Sequence, residues 1–157
     1  MSTKTYGTST TCIIYTVPDM KKYAFLFIGL IAFALVIAFT YTPEKLLDPA
    51  KLAALLKTPA AKKPIILNVG PSAPLPGSQL IGNAEDPANK EKLKVALKNI
   101  PKNSEVVLYC GCCKLEDCWN IHEADKILSG LGYTHYKILN LPTDFNKDWV
   151  DKKYPLQ

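Results

Sequence analysis

The sequence predicts an α/β domain built on a parallel sheet with helices on both faces. Short apolar runs at 65–69, 105–110 and 135–139 have the length of strands, and amphipathic helical patterns separate them. Strands that alternate with helices are typical of βαβ units. The run at 65–69 is almost continuously apolar, as expected for a strand that is buried on both sides.

The helices are predicted from capping residues and from apolar spacing. A first helix begins at Asp48-Pro49 and ends before Pro59, and a second begins at Asp86-Pro87. Aspartate followed by proline is typical of a helix start. Three further elements are predicted: a short strand at 79–83, a third helix from about Asn120 to Gly130, and a short closing helix in which Phe145 and Trp149 are core residues.

The N-terminal region differs from the rest in composition. Residues 1–22 are predicted to be disordered or untranslated, because Met20 offers a second start. Residues 23–41 are predominantly apolar, and at ~1.5 Å per residue they nearly match a ~30 Å hydrocarbon core. Lys21 and Lys22 precede them, which favours a cytoplasmic N-terminal end. We expect a hydrophobic helix that is either a membrane anchor or a cleaved export signal. Either places the domain at 44–157 outside the cytoplasm.

All 19 basic residues are lysine, and the formal net charge is +5. This mild, scattered charge argues against nucleic-acid binding. Without arginine, the chain has no bidentate clamp for an oxyanion. Backbone N–H groups, helix ends or lysine would have to hold one.

Residues 105–122, EVVLYCGCCKLEDCWNIH, contain four of the five cysteines. The predicted strand ends at Cys110, and a helix begins about ten residues later. Ligands bind at the carboxyl ends of strands in such sheets, and the N–H groups of a helix start lower a thiol's pKa. Cys110 is therefore predicted to be an exposed nucleophile, and Cys118, near the helix start, is a second candidate.

The other cysteines of this stretch have three interpretations. Cys112, Cys113 and Cys118 could be relay or resolving thiols, or disulfide partners such as Cys112 with Cys118, since disulfides form outside the cytoplasm. With Cys110 they could instead be ligands for zinc or copper. A catalytic thiol needs no cofactor, whereas the last interpretation requires the metal.

Neighbouring polar and aromatic residues have more ordinary predicted roles. Glu116 and Asp117 are expected to cap the coming helix, and His122 is expected to be an exposed helix residue. Trp119 and Trp149 are expected in the core or in a pocket wall.

The order of these elements resembles the rhodanese-like, sulfurtransferase-fold family. The resemblance covers about residues 60–155 and rests on ILNV, LIGNA, VVLYC with its loop, a helix ending LGY, and YKILNLP. It implies that Cys110 takes sulfane sulfur from a small donor such as thiosulfate, holds it as a persulfide and passes it to a thiol acceptor. We also expect the substrate to contact Gly111 through its N–H, Lys114 as a cation, and Asn120, which occupies the position of the family's arginine.

The chain departs from that family at the site itself. Asn68-Val69-Gly70 stands where the family usually has Asp-Val-Arg, and Asn120 stands where an arginine usually opens the helix. The cysteine loop is about five residues longer and carries three additional cysteines. These departures leave a second interpretation, a non-catalytic cysteine-rich module with the same fold that binds a soft metal ion or a protein partner.

Overall fold

A computed structural model describes residues 41–157. The predictions for residues 1–22, and for the hydrophobic helix except at Tyr41, fall outside the described residues. Within 41–157 no helix is both long and apolar enough to cross a bilayer.

The described chain contains a five-stranded sheet in which every pairing is parallel. This confirms the predicted α/β class. The sheet order is β1-β5-β4-β2-β3, and the strands are β1 (Leu46–Leu47), β2 (Ile65–Asn68), β3 (Ser78–Leu80), β4 (Val106–Tyr109) and β5 (Tyr136–Leu139). Only β1 was not predicted.

Three α-helices connect the strands: α1 (Pro49–Lys57), α2 (Pro87–Lys98) and α3 (Trp119–Gly130). The predicted start of α1 is confirmed, because the Asp48 carboxylate accepts hydrogen bonds from the backbone N–H groups of Ala50 and Lys51. Three shorter turns complete the fold: 3-10 turns at Pro43–Lys45 and Leu115–Asp117, and a π-helical turn at Asn146–Val150. The last lies where the short closing helix was predicted.

The sheet separates two hydrophobic clusters, as alternate strand residues point to opposite faces. Leu67 and Leu108 belong to the cluster that packs against α2 and α3. Ile66 and Val107 belong to the other cluster, with α1 and the C-terminal turn. Both faces are therefore covered, as predicted. Trp149 is fully buried in the second cluster. Phe145, also in that cluster, is 4% exposed, so the two aromatic residues are core residues as predicted.

The register of β2 against β4 positions the site. Asn68 pairs with Tyr109, so the two strands end side by side. Cys110 follows the end of β4 directly, and Gly70 lies two residues after the end of β2, at the carboxyl edge of the sheet. The cysteine loop then runs from Cys110 to the start of α3.

Candidate functional site: a thiol cluster at the carboxyl edge of the sheet

Gly70 provides the space that the Cys110 side chain occupies. A Cβ atom on residue 70 would lie 2.1 Å from the Cys110 Sγ atom. A side chain at 70 and the sulfur at 110 therefore exclude each other in this arrangement. The position of the Cys110 sulfur thus explains why residue 70 is glycine, where the rhodanese-like pattern usually has arginine.

Asn68 holds the loop that follows β2. Its side chain is fully buried, its Oδ1 accepts a hydrogen bond from the Gly70 N–H at 3.0 Å, and its Nδ2 donates to the Ser72 carbonyl at 2.7 Å. A buried amide with both ends bonded fixes the local backbone without adding charge.

Gly111 turns the chain directly after Cys110. Its φ is +74°, which favours glycine, and a Cβ there would lie 2.5 Å from the Cβ of Phe145. The Phe145 N–H also donates to the Gly111 carbonyl at 3.3 Å. Gly111 therefore contributes its backbone to the site, which allows the next residue to fold back over Cys110.

We use the name thiol cluster for Cys110, Cys112, Cys113 and Cys118, which are free cysteines. The Sγ atom of Cys112 lies 3.2 Å from that of Cys110, 3.3 Å from that of Cys113 and 3.8 Å from that of Cys118. Cys112 thus contacts every other member. The sulfur atoms of Cys110, Cys112 and Cys118 all lie within 4.8 Å of one another.

The prediction of an exposed Cys110 sulfur is wrong. Cys110 and Cys118 are each only 1% exposed, whereas Cys112 is exposed and Cys113 is half-buried. The cavity beside Cys110 has a volume of about 10 Å³, at the lower limit of what holds a single water molecule. Leu115, Ile121, Leu139 and Leu141 are among the residues that line it. The loop folds back over its own first cysteine, so Cys112 is the solvent-facing thiol.

Hydrogen bonding within the cluster separates the acidities of the three close thiols. The Cys118 thiol donates to Cys110 and lowers the pKa of Cys110 to about 6; burial opposes this change, and the Cys112 N–H supports it. The same bond to Cys110, followed by burial, raises the pKa of Cys118. Partial burial of the Cys112 sulfur and its hydrogen bonds with Cys110 and Cys113 raise the pKa of Cys112 to about 12.

The expectation that the helix start lowers the pKa of Cys118 is therefore wrong. Cys118 is the N-cap residue of α3, but its side chain makes no capping hydrogen bond. It donates its proton toward Cys110 instead. This interaction favours the thiolate of Cys110 over that of Cys118.

Asn120 is the polar side chain of α3 that faces the cluster. It is 6% exposed, and its Nδ2 lies 3.5 Å from the Cys110 Sγ and 3.8 Å from the Cys112 Sγ. Its Oδ1 accepts a hydrogen bond from the Glu85 N–H at 3.1 Å, which fixes which end of the amide faces the sulfur atoms. Of the residues predicted to contact substrate, Gly111 and Asn120 lie at the cluster. Lys114 is exposed and makes no hydrogen bond to the cluster among the described residues.

Two predictions for the residues around the helix start are wrong. Glu116 and Asp117 form a separate 3-10 turn and do not cap α3. His122 is only 9% exposed: its Nδ1 lies 3.0 Å from the Tyr41 hydroxyl, and its Nε2 lies 3.1 Å from the Glu116 carbonyl oxygen. Trp119 is 62% exposed and lines a surface pocket of about 190 Å³, so it is a pocket wall and not a core residue.

A second, open cavity lies on the solvent side of the cluster, and we call it the outer recess. Its volume is about 300 Å³. Sequence reasoning missed it, because its walls come from segments that are distant in the chain. It is lined by Pro71, Ser72, Ala73, Gly111, Cys112, Phe145, Asn146 and Val150.

Comparison of the chain with protein-family models and with curated protein sequences finds no match. The fold and the site define the class: a parallel α/β domain with a cysteine cluster at the carboxyl edge of its sheet. This class is compatible with a rhodanese-like domain and with a metal-binding module.

Proposed function

We propose that this domain carries sulfane sulfur as a persulfide on Cys110 and passes it to a thiol acceptor. The observation that supports this proposal is the 3.2 Å separation between the Sγ atoms of a buried Cys110 and an exposed Cys112. Two sulfur atoms in contact can exchange a third with little movement. The position of Cys110, at the carboxyl end of a central parallel strand, is where such sheets bind their ligands.

Loading is a nucleophilic displacement at sulfur. The Cys110 thiolate attacks the outer sulfur of a donor, the donor's S–S bond breaks, and its electron pair leaves with the remainder of the donor. Because Cys110 is 1% exposed, the Cys112 side chain must rotate away before a donor reaches it. The chain turns back at Gly111, with its positive φ, so this rotation of Cys112 takes place directly after the turn.

Delivery reverses the roles of the two cysteines. Cys112 loses its proton to solvent and attacks the outer sulfur of the Cys110 persulfide. The bond from Cys110 to that sulfur breaks, and its electron pair returns to the Cys110 Sγ atom. Asn120 and Cys118 face the Cys110 sulfur and stabilise the returning charge, and a stabilised thiolate is the better leaving group. The sulfur then resides on the exposed Cys112.

The test is the mass of the intact full chain after incubation with a sulfane-sulfur donor under anaerobic conditions. We expect a gain of one sulfur atom that is lost in Cys110→Ser. Cys112→Ser should still gain the sulfur but should release it to added thiols much more slowly. A Cys110→Ser chain that gains sulfur as readily as the wild type would reject Cys110 as the carrier.

A second candidate function is the binding of a soft metal ion by the thiol cluster. Three convergent sulfur atoms within 4.8 Å favour it. Zn–S bonds of ~2.3 Å imply S···S separations of roughly 3.8 Å in a tetrahedral site. The Cys112–Cys118 separation equals this value, and the Cys110–Cys112 separation of 3.2 Å is shorter. Cys110, Cys112 and Cys118 would hold zinc or copper(I), with Cys113 able to complete the set after a small movement.

Metal analysis of the full chain, purified under reducing conditions, tests this candidate. Metal binding predicts one zinc or copper ion per chain, lost when Cys112 and Cys113 are both replaced by serine. Trace metal in the wild type, or the same content in the variant, would dismiss it.

We also propose that residues 23–41 anchor the domain in a membrane with the thiol cluster outside the cytoplasm. The proposal is supported by the apolar length of that segment and by Lys21 and Lys22 on its N-terminal side. A membrane-impermeant maleimide should label Cys112 in intact cells. Labelling that requires cell lysis would contradict this orientation.

A further inference from the structure

The outer recess is lined entirely by uncharged residues. Phe145, Val150 and Pro71 supply apolar surface, and Ser72 and Asn146 supply polar groups. Its volume of about 300 Å³ lies at the lower end of the range for small-molecule sites. Because Cys112 is one of its walls, a molecule in the recess lies beside the exposed thiol of the cluster.

The nearest charged side chains on the adjacent turn do not line the recess. The Asp148 carboxylate accepts hydrogen bonds from the N–H groups of Thr143 and Asp144, and the Asp144 carboxylate accepts one from the N–H of Lys147. Both carboxylates are therefore engaged with their own loop. Lys147, on the same turn, is exposed and does not line the recess. No residue that lines the recess therefore offers an anion a cationic partner.

The inner side of the cluster is equally free of cationic groups among the residues that contact it. The groups that donate toward the Cys110 sulfur are the Asn120 amide, the Cys118 thiol and the Cys112 N–H, which are all neutral. An anion that enters this site loses hydration and gains no compensating charge. A neutral molecule of similar size does not incur that cost.

We infer that the outer recess binds the organic part of a small uncharged thiol, which accepts sulfur from Cys112. This inference rests on the proposed sulfur-carrier function and specifies its substrate class. In the exchange, the acceptor thiolate attacks the outer sulfur of the Cys112 persulfide. The bond from Cys112 to that sulfur breaks, the electron pair stays on the Cys112 Sγ atom, and that atom takes a proton from solvent. The acceptor leaves as a persulfide.

The experiment compares two acceptors of similar size, one anionic and one uncharged. The full chain is loaded with sulfur, separated from the donor, and mixed with either N-acetylcysteine or its uncharged methyl ester. Loss of the extra sulfur is followed by mass, and each rate is divided by the rate of the same thiol with a small-molecule persulfide. We expect the neutral ester to be faster by roughly tenfold or more. Equal corrected rates, or a faster carboxylate, would overturn the inference.

A variant that adds a charge tests whether the preference for the uncharged acceptor arises in the outer recess. Asn146→Lys adds a cation to the exposed rim and should raise the ratio of the corrected carboxylate rate to the corrected ester rate. Asn103→Lys adds the same charge at the opposite edge of the sheet, before β4, and should leave both rates unchanged. An Asn146→Lys chain that keeps the wild-type preference would show that the acceptor binds elsewhere and would also overturn the inference.

The two proposals fail separately. If no donor adds sulfur to the chain, the carrier function is rejected, and the substrate inference is rejected with it. If sulfur is added and released without regard to acceptor charge, the carrier function stands and only the recess inference falls.

Discussion

Replacing Gly70 with alanine tests the packing that forms the site. The new Cβ would lie 2.1 Å from the Cys110 Sγ atom and 3.0 Å from the Cα and Cβ atoms of the same residue. Ordinary contact begins at 3.4 Å, so the sulfur must move by about 1.3 Å and the backbone at the end of β4 by about 0.4 Å. Neither is a small adjustment, because Cys110 is buried.

We expect Gly70→Ala to lower the free energy of unfolding by about 1–3 kcal/mol, the usual cost of overpacking a core. Urea unfolding of the full chain in detergent micelles measures this, and the fluorescence of the fully buried Trp149 reports the transition. The same variant should load sulfur poorly, because the displaced Cys110 sulfur loses its contacts with Cys112 and Asn120.

Gly130→Ala is the matched control. Nothing lies within 4 Å of the Cβ that this change adds, and the residue ends α3. Alanine is favoured over glycine in a helix, so this variant should be unchanged or more stable by up to ~1 kcal/mol.

A double variant isolates the clash with the sulfur. In a Cys110→Ala background the Sγ atom is absent, so Gly70→Ala should cost less than it does in the wild type, by at least ~0.5 kcal/mol. An equal cost in both backgrounds, or a Gly70→Ala chain as stable as Gly130→Ala, would refute the packing described here.

Three further predictions follow from burial and hydrogen bonding. Cys112→Ala should speed alkylation of Cys110, because the exposed side chain beside its sulfur is shortened. An unchanged rate would contradict the burial of Cys110 beneath Cys112. Titration of thiolate absorbance should show one cysteine ionising with a pKa of about 6, so that its thiolate is present above that pH. Asn120→Leu should raise this pKa, because a hydrogen-bond donor to the Cys110 sulfur is lost. An unchanged titration midpoint in the variant would contradict the role of Asn120 as a donor to Cys110. Trp149→Ala should lower the free energy of unfolding by ~3–5 kcal/mol, because the side chain is fully buried. Trp119→Ala, at a residue that is 62% exposed, should lower it by less than ~1 kcal/mol. Similar changes in both variants would show that the core is wrongly assigned.

The sequence predicted the elements whose signals are local. The apolar runs gave β2, β4 and β5, and Asp48-Pro49 and Asp86-Pro87 marked the starts of α1 and α2. The two-residue β1 has no such signal, because its pairing with β5 is made only in the folded chain. The position of Cys110 at the end of a central strand was likewise predictable from the run that precedes it.

The environment of the sulfur atoms was not predictable, because it depends on distant residues. Cys110 is buried because Gly70 leaves room for its side chain and the loop folds back over it. His122 is buried because Tyr41, 81 positions away, reaches it. The pKa of Cys118 depends on whether that thiol donates or accepts within the cluster, which its position at a helix start does not reveal.

Site-resolved mass spectrometry of the sulfur-loaded chain tests the central claim most directly. After trapping with an alkylating agent, cleavage at lysine gives a peptide of residues 103–114, which contains Cys110, Cys112 and Cys113, and separates it from Cys118. We predict one additional sulfur atom on that peptide, located by fragmentation to Cys110 in the Cys112→Ser chain. Additional sulfur found only on the peptide that contains Cys118, or on neither peptide, would contradict the account.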